Sequence, residues 1–316
     1  MTFFIGTDEA GYGPNLGPLT ITATAWRFPQ GTSASQCWHL LSQSVSEAAP
    51  RVAEQLHVAD SKKVYSSSRS IEPLEKAVLS ILRLQNKIPA TLVELGSGVA
   101  GNSFRKALKA EPCLPAEPIE LPLKTDCNLI ERSAQRLKQA LDTASAELVT
   151  IRTRVIFPTE FNQLVKSAGS KGKVLSAATL QLVAEIVDQQ EPGAAEIICD
   201  KHGGRNRYGD LLSEVFGNQP YVRLEEGRAM SRYRIDQMEF RFQTKAEEHL
   251  PVAVASMVSK YIREVVMLEF NAWWKQLIPE LKPTKGYPVD AARFLKDITD
   301  ELHCQLIPRE AIWRCR

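Results

Sequence analysis

Residues 7–15, Thr7-Asp8-Glu9-Ala10-Gly11-Tyr12-Gly13-Pro14-Asn15, directly follow the apolar run 3–5 and Gly6. They place two adjacent carboxylates where a strand is predicted to end. Repulsion between such groups is offset only by solvent, a proton or a cation. Mg²⁺ suits this role, because it takes carboxylate oxygens and completes its shell with water and substrate phosphates. The stretch therefore indicates a metal site, although taken alone an acidic turn is the commoner use of these residues.

The glycines of this stretch also raise the possibility of a dinucleotide-binding loop, which needs a helix directly after it. Residues 16–28, LGPLTITATAWRF, instead alternate threonine with apolar residues, which is the period of a strand. The chain also lacks the G-x-x-x-x-G-K-[ST] pattern of a phosphate loop. The glycines are therefore predicted to connect two strands. Gly11 and Gly13 permit the bend that would bring Asp8 and Glu9 to one site.

Composition excludes several classes of protein. The 316 residues are 44% hydrophobic and 24% charged, with a net charge of +2, so no strong overall field attracts nucleic acid. Basic residues do cluster locally, and each cluster alone is as often a solvated face as a binding surface. The clusters are Lys62 with Lys63, then Lys166, Lys171 and Lys173, and the arginines of 223–241.

The six cysteines show no C-x-x-C spacing, which argues against zinc and for free thiols. The N-terminal residues lack the basic and apolar regions of a signal peptide. No apolar run reaches the length of about 18 residues that a membrane span requires. We expect a soluble, cytoplasmic monomer with no membrane partner.

The order of predicted elements favours an α/β fold. Strands are predicted at 2–8, 18–28, 149–156 and 195–200, and helices at 70–84, 127–147, 174–189 and 251–270. Residues 88–126 are rich in proline and glycine and are predicted to be irregular. Residues 218–243 combine arginines with aromatic residues and are predicted to form an added β-hairpin or loop.

Two further acids attract attention. Asp200 ends the apolar run 196–199, at the carboxyl edge of a predicted strand, where open α/β sheets bind ligands. Asp8 and Asp200 would meet if their strands were neighbours, although a turn or helix cap also explains Asp200. Glu264 lies in the helix predicted at 251–270, and an i, i+4 ion pair with Lys260 is its simplest alternative role.

These residues fall into five motifs that resemble type II ribonuclease H (ribonuclease HII), and the chain looks like a divergent member. In order, the motifs are Ile5 to Pro14, Ala59-Asp60-Ser61-Lys62-Lys63, Ile197-Ile198-Cys199-Asp200, Ala253 to Glu264, and Lys285-Gly286-Tyr287-Pro288. Five motifs in the family's order are more specific than any one of them.

The resemblance implies a ribonuclease H-like mixed sheet flanked by helices, with insertions and a helical C-terminal part. It implies that Asp8, Glu9, Asp200 and Glu264 are the catalytic residues and bind Mg²⁺ or Mn²⁺. It also implies hydrolysis of the RNA strand of RNA/DNA hybrids, or of ribonucleotides in duplex DNA, giving 3′-hydroxyl and 5′-phosphate ends. The implied substrate-binding residues are Gly11, Tyr12, Gly13, Lys62 and Tyr287.

The chain departs from the family at defined points. The family's G-R-G is Gly11-Tyr12-Gly13 here, which removes a cation, and its final aspartate is Glu264. We expect residues 1–270 to form the catalytic domain, with insertions at about 88–150 and 218–243. Residues 271–316 are expected to form a helical substrate-binding segment. A nuclease with a changed nucleic-acid substrate, and a non-catalytic nucleic-acid-binding protein of the same fold, remain alternatives.

Overall fold

The computed structural model describes residues 1–61, 63–64, 70–85, 87–115, 117–190 and 192–315. Nine strands form in the described residues, and the strand predictions at 2–8, 18–28, 149–156 and 195–200 are confirmed. The strands are β1 Thr2–Ala10, β2 Leu19–Phe28, β3 Val45–Ser46, β4 Leu56–His57, β5 Glu147–Ile156, β6 Ala195–Asp200, β7 Val222–Glu226, β8 Met230–Ile235 and β9 Met238–Gln243.

Helices fill most of the remaining sequence, and the four helix predictions are confirmed with shifted ends. The helices are α1 Gln36–Leu40, α2 Glu72–Arg83, α3 Leu92–Lys109, α4 Cys127–Thr143, α5 Pro158–Ala168, α6 Lys171–Gln190, α7 Gly209–Val215, α8 Leu250–Leu277, α9 Pro288–Asp297, α10 Thr299–Cys304 and α11 Arg309–Ile312. A 3₁₀ turn at Ala246–Glu248 precedes α8.

Seven strands form one mixed sheet in the order β5-β2-β1-β6-β9-β8-β7. β1 pairs antiparallel with β2 and parallel with β6, and β6 pairs parallel with β9. The carboxyl ends of β1, β6 and β9 therefore lie at the same edge of the sheet. The predicted fold class, a mixed α/β sheet flanked by helices with a helical C-terminal part, is confirmed.

The alternating side chains of β1 separate the core into two layers. Phe4 belongs to a cluster on the face that packs against α8 and α2, whereas Phe3 and Ile5 belong to a cluster with residues of α6 on the opposite face. This alternation is what a strand buried on both sides requires. Gly6 lets α8 approach closely, since a Cβ there would lie 2.3 Å from the Pro251 carbonyl carbon.

The prediction of an irregular segment at 88–126 is wrong for its middle part, because α3 occupies Leu92–Lys109. The Thr91 side chain accepts a hydrogen bond from Glu94 N and so caps the helix. Its glycines serve packing, since a Cβ on Gly96 would lie 2.2 Å from the Phe104 ring. Gly101 adopts a positive φ of 65° where the helix kinks.

The prediction for 218–243 is correct only in part. β7 and β8 form the antiparallel hairpin at the edge of the sheet. β9 lies inside the same sheet, between β6 and β8, where Cys199 of β6 pairs with Phe242 and Asp200 pairs with Gln243. Its apolar side chains Met238, Phe240 and Phe242 are all buried, with polar residues between them.

A third apolar cluster joins the C-terminal helices to the rest of the molecule. Phe270 and Trp274 of α8 pack with Phe294 of α9 and with Leu16, which follows the glycine loop. α8 continues to Leu277 and so crosses the predicted boundary at residue 270. The division into 1–270 and 271–316 stays a prediction.

Candidate active site

Asp8 and Asp200 lie side by side at the carboxyl edge of the sheet. Thr7 of β1 pairs with Cys199 of β6 in a parallel register, so the next residue of each strand follows in step. Equivalent positions on parallel neighbours share one face. The negative charge of Asp200 therefore acts on Asp8 and helps to raise its pKa. The sequence-based expectation that these two strands are neighbours is confirmed.

The Asp8 carboxyl has a strongly perturbed environment. Burial is the largest cause and raises its pKa from 3.8 to about 7, and the carboxylates of Asp200 and Glu247 add to this. Hydrogen bonds from the Ser256 side chain and the Glu9 backbone act in the opposite direction. A carboxyl that binds its proton this tightly lies where a cation would be favourable. Perturbed acids of this kind are common at functional sites.

Small residues of α8 allow the helix to contact the acidic edge. The Ser259 hydroxyl donates to Asp8 O at 3.1 Å, and the Ser256 and Ser61 hydroxyl oxygens lie 3.1 Å apart. The second contact brings the predicted segment 59–63 beside Asp8. Lys62 itself lies outside the described residues, so its predicted phosphate contact stays a prediction.

Glu9 points to the other face of β1, because the strand continues unbent to Ala10. Burial and then the Glu9 carboxylate raise the pKa of the Tyr12 hydroxyl. The Glu9 charge also acts on the buried thiol of Cys199. The bend that the sequence suggested between the two acids is absent, and the glycine loop begins only at Gly11.

Glu264 lies farther along α8. It is eight residues beyond Ser256, which corresponds to about 12 Å along a helix axis. Its Oε1 lies 2.7 Å from Lys260 Nζ, and the two side chains are only 10% and 14% exposed. The i, i+4 ion pair considered from the sequence is therefore present, in a buried setting. The role of Glu264 as a metal ligand stays a prediction.

Glu247 is an acid of this site that the sequence reasoning did not assign. It lies in the 3₁₀ turn Ala246–Glu248, four residues after β9 ends, and its charge helps to raise the pKa of Asp8. Ala246 N donates to Asp200 Oδ1 at 3.4 Å, which places the turn against Asp200. The signal for it was the alternating pattern of 238–243, which marks a third strand ending at this edge.

The chemistry of these donors fits a hard divalent ion. Asp8 and Asp200 supply carboxylate oxygens, and the charge of Asp200 adds to burial in raising the pKa of Asp8. Mg²⁺ is usually bound through one or two carboxylates, with water and phosphate completing its shell. No group of three or more His, Cys, Asp or Glu side chains lies close enough to hold a metal within the described residues.

The glycine loop and the predicted Tyr287 segment are joined through their backbones. Asn15 N and Leu16 N donate to Gly286 O at 2.7 and 3.3 Å. Gly11 has a φ of +91°, and a Cβ there would lie 2.4 Å from Pro18 O. Tyr287 is 47% exposed at the start of α9, beside this loop. The structure thus brings Gly11, Tyr12, Gly13 and Tyr287 into one region, whereas their contact with substrate stays a prediction.

Two buried arginines donate hydrogen bonds to backbone carbonyls in or next to the glycine loop. Arg263 of α8 donates to Leu16 O at 3.2 Å and to Lys285 O at 3.0 Å. Arg314, only 1% exposed, donates to Gly11 O and Pro14 O. Its backbone N also donates to Asn15 O at 2.8 Å. Burial and the nearby charge of Arg263 lower the pKa of Arg314 to about 9. The C-terminal tail therefore fixes the loop beside the acids.

Replacing Arg314 by Leu is expected to reduce the free energy of unfolding by about 3 kcal/mol, because the carbonyls of Gly11 and Pro14 lose a charged donor. Denaturant unfolding at neutral pH measures this loss. Arg309→Leu removes the same charge from an exposed position of the same tail and should change stability by at most about 1 kcal/mol, through loss of its cation–π contact with Trp313. Equal effects of the two substitutions would contradict the role given to Arg314.

Three solved ribonuclease H structures resemble this chain at low identity. The structure of the PCNA:RNase HII complex from Archaeoglobus fulgidus matches at 15% identity and a TM-score of 0.41, over 99% of this chain and 94% of that chain. Bst-RNase HIII in complex with Mn²⁺ matches at 15% identity and a TM-score of 0.41, over 99% of this chain and 66% of that chain. Ribonuclease H2 from Pyrococcus horikoshii OT3 matches at 13% identity and a TM-score of 0.39, over 98% of this chain and 92% of that chain. No protein-family model matches the chain, and no curated protein matches it significantly in sequence.

None of the helices in the described ranges combines the length and apolar character that crossing a membrane requires.

Proposed function

We propose that this protein is a metal-dependent endoribonuclease that hydrolyses the RNA strand of RNA/DNA hybrids, or ribonucleotides embedded in DNA, leaving 3′-hydroxyl and 5′-phosphate ends. The observation that carries the proposal is the pairing of Asp8 with Asp200 at the carboxyl edge of two parallel strands, where burial and like charge raise the pKa of Asp8. Carboxylates arranged in this way suit phosphodiester hydrolysis with Mg²⁺ or Mn²⁺.

Asp8 and Asp200 would hold the ion, and Glu247 is the next candidate because its charge acts on Asp8. Glu9 and Glu264 are the ligands that the family resemblance alone implies. When bound, Mg²⁺ or Mn²⁺ supplies activation of the attacking water and stabilisation of the leaving oxygen. The protein contributes the fixed positions of the acids, because Ser256 and Ser259 hold Asp8 and Ala246 N holds Asp200. Preorganised groups of this kind need no rearrangement during the reaction.

The glycine loop and Tyr287 are the parts proposed to recognise the ribonucleotide. The 2′-hydroxyl is what distinguishes RNA from DNA at a given position. The loop is fixed by Arg263, Arg314 and Gly286, so its backbone presents a constant shape to the substrate. The absence of a Cβ at Gly13, which is exposed and has open space around it, leaves room for close approach of a sugar.

A nuclease with a changed substrate is the second candidate, and the β7–β8 hairpin favours it. This hairpin extends the sheet with exposed arginines, since the Arg223 and Arg234 side chains are 67% and 51% exposed. A purely structural or binding role is less compatible with Asp8, because desolvating a carboxyl beside the second acid Asp200 costs stability and gives a binding protein no benefit.

Incubation with three labelled duplexes in Mg²⁺ or Mn²⁺ tests the proposal. The duplexes are a full RNA/DNA hybrid, DNA containing one ribonucleotide, and plain DNA. Cleavage of either ribonucleotide-containing duplex, with plain DNA intact and 5′-phosphate ends on the products, is the expected result. If neither ribonucleotide-containing duplex were cleaved, in Mg²⁺ or in Mn²⁺, the proposal would be overturned. Cleavage of plain DNA at a similar rate would favour the second candidate.

A further inference from the structure

Two cations, Lys171 and Arg205, lie near Tyr12, and the proposed reaction does not assign a role to either of them. Lys171, the first residue of α6, places its Nζ 4.7 Å from the centre of the Tyr12 ring. This is the distance of a cation–π contact. The Tyr12 hydroxyl lies against the loop after β6, since a Cβ on Gly203 would lie 2.8 Å from it. Gly203 has a positive φ of 59°, so glycine suits this position in two ways.

Arg205 belongs to the same loop and supplies a second charge. Its positive charge acts on Tyr12 and on the buried ring of His202. The guanidinium Nε is buried and has no hydrogen-bond partner among the described residues. Neither Arg205 nor Lys171 forms an ion pair within 4.0 Å in the part of the chain that the structure describes. Two cations therefore stand near one aromatic ring, and the Glu9 carboxylate also acts on the hydroxyl of that ring.

The loop that carries Arg205 is held firmly. Lys201 is 8% exposed, and its Nζ donates to Arg205 O at 3.2 Å and to Gly227 O at 2.7 Å. The same Nζ donates to Ser231 Oγ at 3.0 Å, which ties the loop to β8. A buried ammonium with this many acceptors fixes its surroundings. Arg205 is thus presented from an ordered loop that begins directly after Asp200.

We propose that Lys171 and Arg205, grouped around the Tyr12 ring, bind a backbone phosphate of the nucleic-acid strand beside the acidic edge. The proposal rests on the proposed function for its substrate class. A phosphate there would pair with the Arg205 guanidinium group and the Lys171 ammonium and neutralise both cations. The Tyr12 ring acts as a support that keeps Lys171 extended over the site. Contacts of this type position the strand and carry no sequence information.

Binding of a fluorescent RNA/DNA hybrid to the full chain in EDTA, followed by anisotropy over a series of KCl concentrations, tests the site without cleavage. Each phosphate contact contributes about 0.9 to the slope of log K against log salt. Lys171→Met and Arg205→Met are each expected to reduce this slope by about that amount. Lys173→Met is the matched control, because a residue two positions along the helix points about 200° away. It should leave the slope unchanged.

A rescue experiment separates a phosphate contact from a structural role. Tyr12→Arg in the Lys171→Met background returns a cation to the same place and should restore the slope, whereas Tyr12→Leu should not. A Lys171→Met slope equal to that of Lys173→Met would overturn the inference. Binding with the expected slopes but without cleavage in Mg²⁺ would reject the nuclease and keep the phosphate site. Cleavage with unchanged slopes would reject the site alone.

Discussion

Replacing Asp8 by Asn is expected to reduce cleavage of an RNA/DNA hybrid in Mg²⁺ by about three orders of magnitude. A bound metal contributes several kcal/mol to the stabilisation of transition-state charge, and each 1.4 kcal/mol is a factor of ten in rate. The amide keeps the size of the side chain and can still accept from Ser256, so the fold should be intact. Single-turnover rates on a labelled hybrid measure the loss.

Asp200→Asn should have a similar effect, because Asp200 shares the edge with Asp8. Asp142→Asn provides the control, since it removes a carboxylate from an exposed position of α4 that forms an ion pair with Lys138. Its rate should match that of the unmodified protein. Full activity of Asp8→Asn in a folded protein would remove Asp8 from the site and leave the proposed function without its central observation.

Asp8→Asn should stabilise the protein at high pH when no divalent ion is present. The folded-state pKa of Asp8 is raised from 3.8 to about 7, so the folded protein holds this proton more tightly than the unfolded chain. The stability from this group is complete below about pH 4 and is lost as the pH rises through about 7. Asp8→Asn does not suffer this loss. Its melting temperature in EDTA should therefore exceed that of the unmodified protein at pH 8 and not at pH 4.

The effect of Mg²⁺ on the melting temperature tests whether Asp8 stabilises the folded protein by binding the ion. A ligand that binds only the folded state raises its stability by mass action. Mg²⁺ at pH 8 should therefore raise the melting temperature of the unmodified protein more than that of Asp8→Asn. Equal shifts would indicate that the ion binds elsewhere.

Local patterns placed Asp8 and Asp200 at strand ends and so allowed for their meeting, whereas the family resemblance was needed to put them in one site. Each acid follows an apolar run with the period of a strand, and carboxyl ends of parallel strands meet at one edge. The sequence could not show that Arg314 reaches back to Gly11, because that contact joins residues about three hundred positions apart through a buried tail. No periodicity or turn signal marks such a partner.

Glycine content misled the prediction for 88–126, where Gly96 and Gly101 look like helix breakers. The structure uses Gly96 to accommodate the Phe104 ring within α3, which is a tertiary demand that propensity does not contain. The arginines of 218–243 likewise misled the prediction for the segment that contains β9. Treating them as an added loop hid the strand whose end carries the next acid, Glu247.

Glu247 and Glu264 are the two candidates for the next carboxylate, and they should fail in different ways when changed. Glu247→Gln is expected to lower cleavage by about 100-fold and to raise the Mg²⁺ concentration needed for half-maximal rate, because the Glu247 charge acts directly on Asp8. It should also lower the pKa of Asp8 by removing a repelling charge. Glu248→Gln is the matched control in the same turn, since Glu248 is exposed and should leave the rate unchanged.

Glu264→Gln should instead reduce stability. Its buried ion pair with Lys260 would be broken, and breaking a buried pair costs about 3 kcal/mol. Glu264→Gln with Lys260→Met removes both charges and should recover much of that loss. At a temperature where the protein is folded, its rate should stay within about threefold of the original, since the side chain lies about 12 Å along α8 from Ser256. The reverse result, with Glu264→Gln folded but inactive and Glu247→Gln fully active, would favour Glu264 over Glu247 as the next ligand.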